Sequence, residues 1–153
     1  MRLKSVFISQ YKNLKDFSLS FDNTSFIEVF VGKNGSGKSN LFEALIEIFR
    51  HLDQFGRPSN DITFDYRLIY ESEGQDTEIE WKASKLRINK DQDRKMLGQT
   101  PFPDSVLIYY SGHNTTVSDL VTEYEIKYRG RIKGANLEDS RRFLGIGQEY
   151  RAL

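Results

Sequence analysis

The chain has 153 residues, of which 38% are hydrophobic and 29% charged, so it is long and apolar enough to bury the core of one folded domain. Its 22 Lys and Arg residues balance 22 Asp and Glu residues, which argues against a wholly basic nucleic-acid coat, and the absence of cysteine excludes disulfides and cysteine-based metal sites or nucleophiles. No apolar run is long enough for a signal peptide or a membrane helix, so we expect a cytoplasmic protein with no membrane partner.

Two alternating segments open the chain. Polar and apolar residues alternate over 2–9 and again over 15–21, which is the period of half-buried β-strands. The link at 11–14 is short enough for a hairpin, so we expect the two strands to pair antiparallel.

A nearly continuous apolar run and an amphipathic segment follow. Residues 26–31 are mostly β-branched or aromatic, which predicts a buried central strand. Residues 40–52 repeat their apolar positions every three or four residues, which predicts a helix that ends at the turn-forming stretch 56–60.

The second half of the chain has weaker patterns. Alternation predicts a β-meander, a second apolar run predicts another core strand, and the last third has helical spacing. The strands of the meander are expected over 62–70, 77–81 and 85–88, the core strand over 105–110, and the helices over 116–128 and 137–153.

One motif carries specific chemistry. The segment Gly32–Ser39 matches G-x-x-x-x-G-K-[ST], the phosphate-binding P-loop or Walker A motif, and it lies between a predicted strand and a predicted helix. Its glycines allow the backbone to turn sharply, so that successive N–H groups face an anion together with the positive end of the helix. The residues expected to contact the phosphates through this loop are Gly32, Lys33, Asn34, Gly35, Ser36, Gly37, Lys38, Ser39 and Asn40.

Two side chains of the motif have separate roles. Lys38 would place its ammonium group on the β- and γ-phosphates, which makes it the candidate catalytic residue. The hydroxyl of Ser39 is a hard oxygen ligand that suits Mg²⁺. The sequence therefore predicts a site for a purine nucleotide, ATP with Mg²⁺ in the first place.

The string G-K-N-G-S-G-K-S-N-L-F-E-A-L, beginning at Gly32, resembles the RecF, SMC and OLD-like ATPases, which are AAA-family relatives of the ABC ATPases. The opening segment Val6–Leu14 is similar to the hydrophobic strand and N-F-K turn at the start of those proteins. The resemblance covers roughly the first 50 residues of the chain.

The resemblance implies an α/β fold, a P-loop NTPase of the ABC/RecF type with a central sheet, an antiparallel meander and flanking helices. Residues 1–153 would form the amino-terminal and incomplete portion of one such domain. Its parts are a P-loop core over 1–56, a β-rich part over 61–110 and a helical part over 115–153.

The resemblance also implies functional residues outside the loop. Lys12 and Asn13 would lie near the nucleotide and contact phosphate or base, although a solvated turn lysine is an equal alternative for Lys12. A polar group after a later core strand would approach Mg²⁺, and His113 or Asn114 could supply it, although a plain surface turn is an equal alternative. Gln99 is a weaker candidate.

Parts of a complete ATPase of this type are missing from the sequence. No apolar strand ends in Asp-Glu, the acidic Walker B pair, and the nearest approach, Leu68–Glu71, falls within the meander. Leu144–Gln148 is a faint likeness of the family signature, with Gly145 in place of the serine. His51 lies inside the first helix, where a structural or exposed role is expected.

Three functions remain open on the sequence. The first is an ATPase lobe of a DNA-associated machine in repair, chromosome organisation or antiphage defence, with two copies joined around ATP. The second is a nucleotide-gated interaction module without efficient hydrolysis. The third is a P-loop kinase that acts on a small molecule.

Overall fold

A computed structural model describes residues 1–21, 27, 29–56, 62–103, 106–109, 119–120, 122–123, 126 and 143–146. The chain divides into two units, Met1–Phe102 and Pro103–Leu153. The division at 56 and 110 that we expect from the sequence stays a prediction.

The first unit contains a five-stranded antiparallel sheet in the order β2-β1-β3-β4-β5. The alternating segments of the sequence form these strands, and the link between the first two shortens to Lys12 and Asn13. The strands are β1 (Arg2–Tyr11), β2 (Leu14–Ser20), β3 (Tyr66–Ser72), β4 (Gln75–Lys82) and β5 (Lys85–Ile88).

The alternation separates the two faces of the sheet. In β1 the side chains of Val6 and Ile8 are buried, and in β3 the buried side chains belong to Tyr66, Leu68 and Tyr70. Strand β3 lies between β1 and β4, so its buried residues stand at the middle of the core. Because polar and apolar residues alternate, the apolar side chains gather on one face of the sheet. This face stabilises the sheet only if another layer covers it.

The helix α1 (Lys38–Asp53) supplies that cover. Its buried residues include Leu41, Ala44, Ile48 and Leu52, which follow the predicted spacing of three and four. Nδ1 of His51, on this buried side, lies 2.8 Å from the Tyr66 hydroxyl on the sheet, and its ring also meets the ring of Trp81 edge to face. The structural role expected for His51 is thus borne out by these contacts.

The prediction of a buried central strand over 26–31 is wrong for the described residues of this segment. Ile27, Val29, Phe30 and Val31 belong to no strand, and the first, second and fourth of them are 78%, 77% and 87% exposed. Both edges of β1 are already occupied by β2 and β3, so that strand offers this segment no free edge. Apolar composition alone does not place a segment in a sheet, because a strand also needs a neighbouring strand to which its backbone can hydrogen-bond.

The second unit contains a short parallel pair, β6 (Val106–Tyr109) with β7 (Phe143–Ile146). β6 confirms the strand predicted over 105–110. At its described residues the helix predicted over 137–153 is contradicted by β7, because Phe-Leu-Gly-Ile is a short apolar run whose backbone pairs with β6 instead. The described residues of the helix expected over 116–128 are helical, namely Asp119, Leu120, Thr122, Glu123 and Ile126.

An antiparallel meander with a covering helix agrees with the predicted α/β class. In the part of the chain that the structure describes, no helix has both the length and the hydropathy that a membrane crossing requires.

We expect stability to fall in alkali because of the buried tyrosines. Burial raises the pKa of Tyr70 to about 12, whereas a tyrosine in the unfolded chain ionises near the ordinary pKa of about 10. Below pH 10 the hydroxyl is neutral in both states and the folded chain keeps its full stability. Between pH 10 and 12 only the unfolded chain loses the proton, so the free energy of unfolding decreases, by up to about 1.4 kcal/mol per pH unit for one such group.

Denaturant unfolding of the parent chain and of Tyr70→Phe between pH 8 and 12 measures this contribution. The variant should lose stability with a shallower slope above pH 10. Equal slopes would show that Tyr70 ionises alike in the folded and unfolded chains.

Candidate phosphate-binding site

The P-loop forms an open turn that leads directly into α1. Gly35 and Gly37 adopt left-handed φ angles of +83° and +95°, which side-chain-bearing residues rarely adopt. The N–H of Ser36 donates to the carbonyl of Lys33 at 3.2 Å, which closes the turn. Gly37, which the motif requires, and Gly35, which the motif leaves open, thus stand where the backbone takes a left-handed conformation.

The amino-terminal end of α1 has the features of an anion site. Gly37 is its N-cap and supplies no side-chain hydrogen bond, and no acidic residue occupies the first turn. The N–H groups of a first helical turn have no partner within the helix, and the helix dipole adds partial positive charge. An incoming phosphate would therefore meet helical N–H donors, with no acidic residue in the first turn of α1.

Lys38 spans the mouth of the loop. Its ammonium group donates to the carbonyl of Gly32 at 2.6 Å and to the carbonyl of Lys33 at 3.0 Å, and it lies 3.3 Å from Oγ of Ser36. A phosphate oxygen that entered the loop could replace these neutral acceptors with a charged one, and charge-assisted hydrogen bonds are stronger. Ser39, the next residue, is exposed in the same helical turn.

The turn between β1 and β2 lies against the loop, which brings together two segments that the sequence predicts to share the site. Nδ2 of Asn13 donates to the carbonyl of Gly35 at 3.2 Å, and Nδ2 of Asn40 donates to Oδ1 of Asn13 at 2.7 Å. The neighbouring Lys12 instead binds the carboxylate of Glu43 on α1. The contacts that the structure gives to these two turn residues are with protein groups, and a direct contact with phosphate or base stays a prediction.

Glu43 is the residue of this site that sequence reasoning leaves without a role. Its side chain is 1% exposed, and its carboxylate is held by Lys12, with the Tyr11 hydroxyl 3.5 Å away. Burial, followed by the charge of Glu43, raises the pKa of Tyr11 to about 12. In the sequence Glu43 stands beside the apolar stripe of the helix and within the string that resembles the RecF-like ATPases, but nothing in the local pattern indicates Lys12 as its partner.

The remaining candidates lie outside the described residues or in other segments of the chain. His113 and Asn114 lie outside the described residues, as do Gly147 and Gln148 of the signature-like segment. Glu71, at the end of the Walker B-like run, belongs to β3 and pairs with Arg2 at 2.7 Å, and this contact lowers its pKa. Leu68–Glu71 is therefore part of the meander, as its sequence context indicates. Gln99 is exposed in the segment after β5.

Gly37 is the glycine at which the loop meets the β1–β2 hairpin. A Cβ built there would meet Oδ1 of Asn13 and Cδ2 of Leu14, each at 3.1 Å, whereas a Cβ on Gly35 meets nothing within 4 Å. The loop is therefore seated on the β1–β2 turn at Gly37 and open to solvent at Gly35.

This difference predicts that Gly37→Ala destabilises the chain more than Gly74→Ala. Both glycines have left-handed φ angles, +95° and +77°, so both variants lose about 1 kcal/mol from backbone strain. Only Gly37→Ala also displaces Asn13 and Leu14, which adds about 1 kcal/mol of crowding. Denaturant unfolding of the two variants gives the comparison, and equal losses would mean that the loop does not rest on the turn.

Comparison with known proteins gives a family match that includes the phosphate loop and the hairpin before it. The family model described as an AAA ATPase domain matches residues 1–139. The DNA replication and repair protein RecF of Leptospira biflexa serovar Patoc is 32% identical over 110 residues, which cover 63% of this chain and 29% of that protein. The protein of the same description from Rickettsia canadensis (strain McKiel) is 44% identical over 43 residues, 28% of this chain and 11% of the relative. The chain thus matches less than a third of the length of either relative, but the family model spans most of it, and the chain belongs to the AAA ATPase domain family.

Proposed function

We propose that this chain binds the phosphates of Mg-ATP through Gly32–Ser39 and serves as the nucleotide-binding part of a RecF-like ATPase. The observation that carries the proposal is the position of the Lys38 ammonium group, which lies across a loop that leads into a helix end without a side-chain cap. Positive charge, the first N–H groups of the helix and the glycine turns thus meet in one loop. Membership in an ATPase family supports ATP as the nucleotide.

Each residue of the site has a defined task in this proposal. The backbone of the loop would hold the phosphates in place, and Lys38 would neutralise charge on the β- and γ-phosphates. The residues fit Mg²⁺ in one respect, because the Ser39 hydroxyl is a hard oxygen donor on the same turn. Among the described residues no three His, Cys, Asp or Glu side chains form a metal cluster, so the phosphates would supply further ligands. When bound, Mg²⁺ would neutralise charge that develops on the phosphates.

The process in which this nucleotide is used is proposed from the relatives. Both relatives carry the description of DNA replication and repair proteins, and we extend a DNA-associated role to this chain on that ground. Association of two copies around ATP belongs to the same proposal.

Binding should depend on the charge of Lys38. Lys38→Ala removes the one ammonium group that spans the loop, and the loss of a charge-assisted contact with phosphate should weaken Mg-ATP binding by about 30-fold or more. Titration calorimetry of Mg-ATP into the parent and the variant measures the change.

Lys82→Ala is the matched control, because it removes the same charge from an exposed residue at the end of β4. Its affinity should stay within about twofold of the parent, as expected for a distant surface charge at ordinary salt. If Lys38→Ala bound Mg-ATP as tightly as Lys82→Ala, the proposed site would be wrong.

A nucleotide-gated module without efficient hydrolysis is the second candidate, favoured by the state of Glu43. This carboxylate, which is tied to the loop region through Lys12, is buried and paired, so it is unsuited to activate water. We expect the full chain to bind Mg-ATP and to form ADP no faster than Lys38→Ala does. Release of phosphate measured on both proteins tests this, and clear excess turnover by the parent would favour an ATPase that is complete within this chain.

A further inference from the structure

The side chain of Asn13 joins the β1–β2 turn to the backbone of the phosphate loop. Its Nδ2 lies 3.2 Å from the Gly35 carbonyl, and its Oδ1 lies 2.7 Å from Nδ2 of Asn40. Asn13 is itself exposed, so these bonds do little to bury apolar surface. These two hydrogen bonds instead fix the geometry of the loop.

The direction of this chain of bonds is fixed by chemistry. A backbone carbonyl can only accept, so the amide NH₂ of Asn13 must face Gly35. Its oxygen then faces Asn40, which must present its own NH₂. Asn40 stands in the first turn of α1, so the helix sets the orientation of Asn13, and Asn13 sets that of the Gly35 carbonyl.

Holding this carbonyl also orients the next N–H group. A trans peptide unit is planar, and its carbonyl and N–H point to opposite sides, so fixing the carbonyl of Gly35 fixes the N–H of Ser36. That N–H points to the Lys33 carbonyl at 3.2 Å, and the Lys38 ammonium group contacts the same carbonyl at 3.0 Å. The Ser36 N–H and the Lys38 ammonium group therefore lie on the same side of the loop, opposite to Asn13.

The turn that carries Asn13 is itself anchored. Lys12 has a left-handed φ of 51°, which a lysine adopts at a cost, and its ammonium group binds the buried Glu43 carboxylate. On the other side of Asn13, Leu14 lies against Gly37. The turn is thus fixed to α1 by an ion pair and to the loop by packing.

We infer that Asn13 is a positioning residue for the phosphates, which acts by orienting the Gly35–Ser36 peptide and not by contact with the base. The inference rests on the proposed function. In this inference the turn contributes to binding of the phosphates and does not contribute to binding of the adenine. Asn40 belongs to the same unit, because it orients the amide of Asn13.

The test measures binding of Mg-ATP and of inorganic triphosphate, the latter by competition, to the full chain and to Asn13→Ala. Loss of one oriented donor should weaken both ligands by a similar factor of about five to ten. Asn40→Ala should cause a comparable loss, and the double variant should be no weaker than the worse single variant, because the two residues act in series. Asn40→Ala also tests the inference alone if Asn13→Ala fails to fold.

Asn89→Ala is the matched control. Asn89 is another exposed turn asparagine with a side-chain bond to the backbone, in this case from the N–H of Glu78 at 2.8 Å, and it should leave both affinities unchanged. Weakening of Mg-ATP without weakening of triphosphate would place Asn13 on the base or ribose and overturn the inference. Unchanged binding by Asn13→Ala and Asn40→Ala would also overturn it.

Lys38→Ala separates this failure from failure of the proposed function. If Lys38→Ala loses binding while the asparagine variants keep it, the loop binds phosphate and the positioning role is wrong. If Lys38→Ala keeps its affinity, the site itself is wrong.

Discussion

A buried carboxylate requires a cation, and the pairing of Glu43 with Lys12 is the constraint on which the arrangement of this site depends. Glu43 is 1% exposed on α1, and Lys12 reaches it from the β1–β2 turn. Breaking such a pair leaves an uncompensated charge in the interior, which is far more costly than losing a surface ion pair. The pair therefore ties the first hairpin to the helix that begins at the phosphate loop.

This connection helps to fix the conformation of the loop, which has few packing contacts of its own. Its residues from Gly32 to Ser36 are exposed, and its described contacts are hydrogen bonds to Lys38, Asn13 and its own backbone. A loop held in this way can keep its N–H groups oriented before a ligand arrives, which reduces the entropy lost on binding. The sheet and helix are thus connected to the candidate site through the turn between β1 and β2.

The sequence predicts the local parts of this structure well. The P-loop, the helix behind it and the strands of the meander each follow from a motif or a period, and the family match agrees with them. The pairing of Lys12 with Glu43 does not follow, because it joins residues 31 positions apart and leaves no periodic trace. The same limit explains the two errors: 27–31 and Phe143–Ile146 are apolar runs whose state depends on whether a partner strand is available.

The exposed run before the loop also has a consequence for the behaviour of the protein in solution. Ile27, Val29 and Val31 present β-branched side chains to water, and such surfaces favour association between molecules. The chain has 22 basic and 22 acidic residues, so near neutral pH it carries almost no net charge to keep molecules apart. Colloidal stability should therefore be lowest under the conditions in which nucleotide binding is normally measured, and a modest shift of pH away from neutrality should improve it.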